Sequence, residues 1–309
     1  MTKQYNAYIY RERIRIQINR KTMVRFYRSI RDSPVSEADI ILIGVPDESK
    51  SLAKRKGTNR APDIIRSASN DSEFFEREEK TIPVLPMRGS FDDKRILDAG
   101  NVTREQLPQM IADIVSAKKI PIIIGGDHSI TTIALRAIGG VLGKIGLLYF
   151  DAHPDFVSSM KNYYGSVLTD SAQSIEYKKS MLIGTRAAEP EELENAQNAG
   201  LEIVSPLDFV ELGVLKIADK VVAKATGPKK YISIDLDCID PAFAPGVSLP
   251  SAGGLSSIDL IYLVKRAIDC GVIGLDIVEL SPDFDFNHST ANLAARIISE
   301  CIASIKVHR

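Results

Sequence analysis

The chain has 309 residues, with 39 Lys and Arg against 40 Asp and Glu, for a formal net charge of −1. So even a balance excludes a global electrostatic draw toward nucleic acid or an anionic membrane and leaves any partner to be chosen by a local site. Hydrophobic residues make up 44% and the three cysteines, Cys238, Cys270 and Cys301, are scattered without CxxC spacing, which excludes a disulfide-framed module and fits a soluble chain in a reducing cytoplasm.

Residues 1 to 35 read as an N-terminal arm. Within residues 1 to 31, Arg11, Arg13, Arg15, Arg20, Lys21, Arg25, Arg28 and Arg31 face one acid, Glu12. Ile14, Ile16 and Ile18 alternate with Arg15, Gln17 and Asn19, the period of a half-buried strand rather than of an amphipathic transit helix. A structural arm or subunit contact is expected there. No signal-peptide-type stretch follows, and no apolar run approaches the roughly 18 residues that cross a bilayer.

Beyond the arm, apolar runs and helical patterns alternate as βα units do, which predicts one α/β domain over 1–309 with a largely parallel central sheet covered on both faces. Strands are expected at Ile40 to Val45, Ile122 to Ile124, Ile145 to Phe150, Met181 to Gly184, Tyr231 to Leu236 and Val272 to Val278. Helices are expected at Pro62 to Ser69, Thr103 to Lys118, Ile130 to Ile138, Pro190 to Asn198, Ser257 to Cys270 and Thr290 to Ile305.

Three polar motifs each follow or overlap the end of an apolar run: GGDHS at 125 to 129, DAHPD at 151 to 155 and SIDLDCIDP at 233 to 241. Parallel α/β sheets place ligand sites at such strand ends. Asp235 and Asp237, two apart on an expected strand, point to one side, and Asp151, His153 and Asp155 repeat that spacing. Taken singly, these acids are ordinary turn or cap residues and His128 and His153 satisfied interior histidines. Together, four Asp charges balance two divalent cations, whereas burying the acids unpaired is costly. Abundant carboxylate with some imidazole favours Mn²⁺, while ligand preference alone leaves Zn²⁺, Fe²⁺, Co²⁺ and Ni²⁺ open. Two such ions, about 3.5 to 4 Å apart, sharpen a water into a hydrolytic nucleophile at neutral pH. Gly125 and Gly126 lack the full phosphate-loop pattern.

With these motifs the chain resembles the ureohydrolase family of arginases and agmatinases, from about residue 40 to residue 305, and within it is closest to the agmatinases. The resemblance implies a three-layer α/β/α arginase-like fold, two Mn²⁺ per subunit and a homo-oligomer, trimeric or hexameric. It places His128, Asp151, Asp155 and Asp235 around one ion and Asp151, His153, Asp235 and Asp237 around the other. It also implies that Glu279, in GLDIVELSP, grips the substrate guanidinium, and that Asp155 relays a proton to the leaving nitrogen. Asp127 and Asp240 are expected to be supporting residues.

The loop after DAHPD shows no Asn-containing pattern for an amino-acid head group, which favours agmatine, cleaved to putrescine and urea. Two features depart from the family pattern. Tyr164 in NYYGSVL stands where relatives often carry histidine, and is expected to contact substrate. Val247, Ser248, Leu249, Pro250 and Ser251 replace a Thr/Gly-rich segment. A formimidoylglutamase, a guanidinobutyrate hydrolase or a catalytically weak binding homologue are the alternatives.

Overall fold

The computed structural model describes residues 24–30, 33–72, 74–227 and 229–307. The strand expected around Ile14 to Ile18 lies outside them. Residues 24–30 pack beside the sheet: Phe26 is buried, its amide donates to Asp98 Oδ2 at 2.9 Å, and Ile30 bridges in parallel to Leu97.

Ten strands form among the described residues: β1 (Ile40–Gly44), β2 (Phe74–Arg77), β3 (Lys80–Pro83), β4 (Ile96–Asn101), β5 (Ile120–Ile124), β6 (Gly146–Phe150), β7 (Met181–Ile183), β8 (Glu202–Val204), β9 (Lys230–Asp235) and β10 (Gly274–Val278). β2 and β3 make a separate antiparallel hairpin, and the other eight make one sheet in the order β4-β1-β5-β10-β9-β6-β7-β8, every pair parallel. Strands such as IILIG and GLLYF are apolar throughout and wholly buried, as a parallel sheet sandwiched between helices requires.

The helices are α1 (Ala61–Ser72), α2 (Leu107–Ser116), α3 (Ser129–Leu142), α4 (Val167–Asp170), α5 (Pro190–Ala199), α6 (Pro206–Leu212), α7 (Val214–Ala225), α8 (Ser257–Asp269) and α9 (Ser289–Ser304). Leu42, Ile124, Phe150, Ile234 and Ile277 pack on one side with α1, α7, α8 and α9. Ile43, Ile123, Leu147 and Tyr149 pack on the other with α2, α3 and α5. This is the expected three-layer α/β/α arrangement. No described helix is long and apolar enough to cross a membrane.

Two expected boundaries shift for local reasons. α2 starts at Leu107 rather than Thr103, because Pro108 occupies its first turn, where a missing N–H costs nothing, while Gln106 Oε1 accepts the Thr103 amide. β9 ends at Asp235 rather than Leu236, and Leu236–Cys238 forms a 3₁₀ turn capped by Asp235, whose Oδ1 accepts the Asp237 amide at 2.8 Å. The two acids therefore converge through a turn and not through strand alternation.

Strand register brings the motifs level. Phe150 pairs with Ile234, Val278 with Asp235, and Ile277 with Ile124. The residues that follow, Asp151, Glu279 and Gly125, thus emerge together at the carboxyl ends of the four adjacent strands β5, β10, β9 and β6.

Candidate metal centre

GGDHS turns from β5 into α3. Gly126 passes so close to the Asp47 backbone that a Cβ would meet its carbonyl oxygen at 1.8 Å. Asp127 is spent on holding the turn: Oδ1 accepts the Ser129 amide and hydroxyl, and Oδ2 accepts the Lys50 amide at 2.9 Å. His128 is thereby delivered, 1% exposed, onto the face of Tyr149, with ring centroids 4.7 Å apart.

The hydrogen bonds of His128 determine its tautomer. Ser233 Oγ donates its one proton to Asp276 Oδ1 at 2.6 Å, and the other Asp276 oxygen accepts from Thr131 Oγ1 and Tyr231 Oη, each at 2.9 Å. Ser233 Oγ, 2.9 Å from His128 Nε2, can therefore only accept, so Nε2 carries a proton. The other nitrogen, Nδ1, lies 3.0 Å from Asp151 Oδ2 and 3.1 Å from both Asp155 Oδ2 and Asp235 Oδ2. Tyr149 Oη, also 3.1 Å away, gives its proton to Asp155 Oδ2 at 2.7 Å and has none for Nδ1. A cation relieves such crowding of lone pairs and negative charge, whether a proton on Nδ1 or on one of the carboxylates, or a metal ion among these atoms. Burial works against protonation of His128, but the three carboxylates outweigh it and hold the imidazole well above its usual range.

Asp151 Oδ2 is buried with no hydrogen bond directed to it among the described residues. Burial first, then Asp155 and Asp237, push the Asp151 carboxyl up to about 6. On its other side, Asp151 Oδ1 accepts the His153 amide at 2.6 Å and sits 3.5 Å from His153 Nδ1, which is 3.1 Å from Asp237 Oδ2. Burial opposes charge on His153, yet Asp237 and Asp151 push it up to about 12.

Two groups could each hold a metal ion: His128 with Asp151 and Asp155, and Asp151 with His153 and Asp237. Within each, the ligand atoms lie within 4.8 Å of one another. Asp151 is common to both. Asp235 joins the His128 side through Oδ2, while its Oδ1 is taken by the Asp237 amide. An orphaned buried carboxylate oxygen beside an imidazole lone pair, in an oxygen-rich donor set, is a chemical fit for divalent ions such as manganese.

Two acids of this region stand on left-handed backbone, Asp155 at φ 49° and Glu279 at φ 68°. Non-glycine residues hold that conformation only where surrounding contacts enforce it, a strain that concentrates at functional sites. Glu279 is 2% exposed; its Oε1 accepts the His128 amide at 2.7 Å and its Oε2 accepts the Ser248 hydroxyl. Burial, then Asp127, push its carboxyl up to about 8. Tyr164 is half-buried, edge-on to Tyr163, with its amide on Lys50 O at 3.4 Å. Burial and then the charges of Glu279 and Asp155 push its phenol up to about 12. Asp240 accepts the amides of Ala242, Gly253 and Gly254, a supporting role.

Sequence reasoning missed Ser233, Asp276 and Tyr149, and met Ser248 only as part of the altered segment 247–251, with no role assigned. A signal existed for two of them: Ser233 and Asp276 are polar residues inside apolar strands, and a buried acid there demands partners.

The Arginase family model matches residues 38–304. A proclavaminate amidinohydrolase of Streptomyces clavuligerus is 29% identical over 293 residues, 90% of this chain and 91% of that protein. An agmatinase of Neisseria meningitidis serogroup A is 29% identical over 282 residues, 86% of this chain and 87% of that protein. The crystal structure of agmatine ureohydrolase of Thermoplasma volcanium superposes with a TM-score of 0.77 at 30% identity, covering 92% of this chain and 94% of that one. The chain belongs to the arginase family and is a hydrolase of amidino carbon–nitrogen bonds.

Proposed function

We propose that the chain is a manganese-dependent amidinohydrolase that cleaves agmatine to putrescine and urea. The observation that supports this most is the pair of metal-capable groups sharing Asp151, with Glu279 bonded to the backbone of one of their histidines. His128, Asp151, Asp155 and Asp235 would hold one ion and Asp151, His153, Asp235 and Asp237 the other. When bound, the ions supply a water acidified toward neutral pH and an electrophilic field for developing negative charge.

The chain's own residues do the rest. Ser233 and Asp276 hold the His128 ring so that Nδ1 faces the acids. Glu279, as its carboxylate, accepts N–H bonds from the planar guanidinium and turns its central carbon toward the attacking water. Asp155, oriented by Tyr149 Oη, takes a proton from that water and returns it to the leaving nitrogen. The carbon–nitrogen bond then breaks with an amine as leaving group and urea as the other product. Tyr164 lines the approach to substrate.

Agmatine is favoured by relatives named as agmatinases. A different guanidino compound is the second reading, favoured by the equal similarity to a proclavaminate amidinohydrolase. Because the site draws on strands from Ile120 to Val278, a single domain is part of the same proposal. So is a homo-oligomer, which sedimentation would check.

The deciding experiment incubates manganese-loaded protein with agmatine, guanidinobutyrate and formiminoglutamate and scores urea and formamide separately. Urea and putrescine from agmatine are expected. Formamide without urea, or no product from any compound, overturns the proposal.

A further inference from the structure

Ser248 makes a contact that the mechanism above does not use. It is 3% exposed, and its hydroxyl donates to Glu279 Oε2. The flanking backbone fixes it there: Val247 bridges Leu280, the Gly246 amide donates to Thr290 Oγ1 at 2.9 Å, Gly246 O accepts the Ser281 amide at 2.8 Å, and Val247 O faces the Arg55 guanidinium at 3.4 Å. A serine hydroxyl has one proton and two lone pairs. With the proton committed to Glu279, Oγ can only accept, and among the described residues no donor reaches it.

We propose that Ser248 Oγ is a second anchor for the substrate's amidino group, accepting one N–H while Glu279 accepts another. This rests on the amidinohydrolase reading and deepens it by naming the substrate class. A guanidinium carries N–H groups on all three nitrogens and can serve both acceptors while a third nitrogen leaves. A formimino group is left with a single nitrogen as its carbon–nitrogen bond breaks, so the two acceptors must share the two diverging N–H bonds of that one nitrogen, whereas a guanidinium presents parallel N–H bonds from two. Ser248 thus selects guanidino over formimino compounds.

The test compares manganese-loaded wild type, Ser248→Ala and Ser248→Thr on agmatine, guanidinobutyrate and formiminoglutamate, with metal content measured for each. Loss of one hydrogen bond to a cationic group supports a KM increase of about tenfold for the guanidino substrate in Ser248→Ala. Metal content is expected to be unchanged, kcat to stay within about threefold, the guanidino preference to narrow by a similar factor, and Ser248→Thr to restore KM. If Ser248→Ala fails to fold, Ser248→Cys, close in size but a weak acceptor, gives the same readout. An unchanged KM, a fall in kcat alone, or a failure of threonine to rescue in a metal-loaded protein overturns the Ser248 assignment while leaving the amidinohydrolase reading intact. Absence of turnover by wild type overturns both.

Discussion

Ser233 Oγ stands 2.9 Å from His128 Nε2 and, having given its proton to Asp276, accepts the imidazole proton. One strand hydroxyl thus decides which nitrogen of His128 faces Asp151, Asp155 and Asp235. Ser233→Ala removes that decision, and the ring can present the wrong tautomer. Loss of such a supporting partner weakens metal affinity by about 10- to 100-fold. Competition with a chelator would measure it, with unchanged affinity in a folded variant counting against the tautomer chain. Asp235→Ala goes further, abolishing both metal loading and activity.

The metal-free protein has a predictable response to pH. Burial lifts Asp151 to about 6, Glu192 to about 7 and Glu279 to about 8, from ordinary values of 3.8, 4.5 and 4.5. A carboxyl raised in the fold binds protons more readily folded than unfolded. Its stabilising contribution is complete below the unfolded value and is lost as pH rises through the folded one. The urea midpoint of metal-free protein should therefore fall between about pH 5 and pH 8. Manganese, by neutralising the cluster around Asp151, should add the most stability at the upper end. A metal-free midpoint that rises across that window would contradict the sign.

Away from the metal centre, Arg66 and Asp98 form a fully buried pair. Arg66 Nε and Nη2 each lie 2.9 Å from an Asp98 oxygen, Nη1 donates to Asn101 Oδ1 at 2.6 Å, and Asp98 Oδ2 also accepts the Phe26 amide. Removing one partner leaves an uncompensated buried charge, so Arg66→Ala is expected to cost about 3 to 5 kcal/mol. Urea denaturation would show it as a lower midpoint. Manganese affinity of the remaining folded protein should be unchanged, because β4 is an edge strand, separated from β5 by β1 and further still from β9 and β6.

That same pair explains what the sequence concealed. The convergence of polar residues was legible because His128, Asp151, His153, Asp235 and Asp237 cluster in short polar stretches after uniformly apolar strands. β4 was not, since Asp98, Gly100 and Asn101 interrupt its apolar run, and Arg66, 32 positions earlier, together with the Phe26 and Gly100 amides, makes burial of Asp98 tolerable. The hairpin of β2 and β3 turns through Glu78 and Glu79, both at positive φ, where an Asn-Gly signal is usual. α6 did carry a signal, with Ser205 and Asp208 forming a capping box around Pro206. The Glu279 to Ser248 contact joins segments 31 positions apart, and no local pattern encodes it.

The Tyr164 phenol is held up to about 12 by burial together with the charges of Glu279 and Asp155. At pH 7 to 9 it stays protonated and acts only as a neutral donor or acceptor. Tyr164→Phe should therefore leave the shape of the kcat profile unchanged over that range, while KM rises a few-fold if the hydroxyl contacts substrate. Tyr164→His introduces an imidazole with an ordinary value of about 6.5 and should add an inflection to the profile in the neutral region. If turnover by Tyr164→Phe instead drops by about two orders of magnitude or more, the phenol is the proton donor to the leaving nitrogen, since general acid catalysis contributes about 10²- to 10⁴-fold. That result would transfer the role from Asp155.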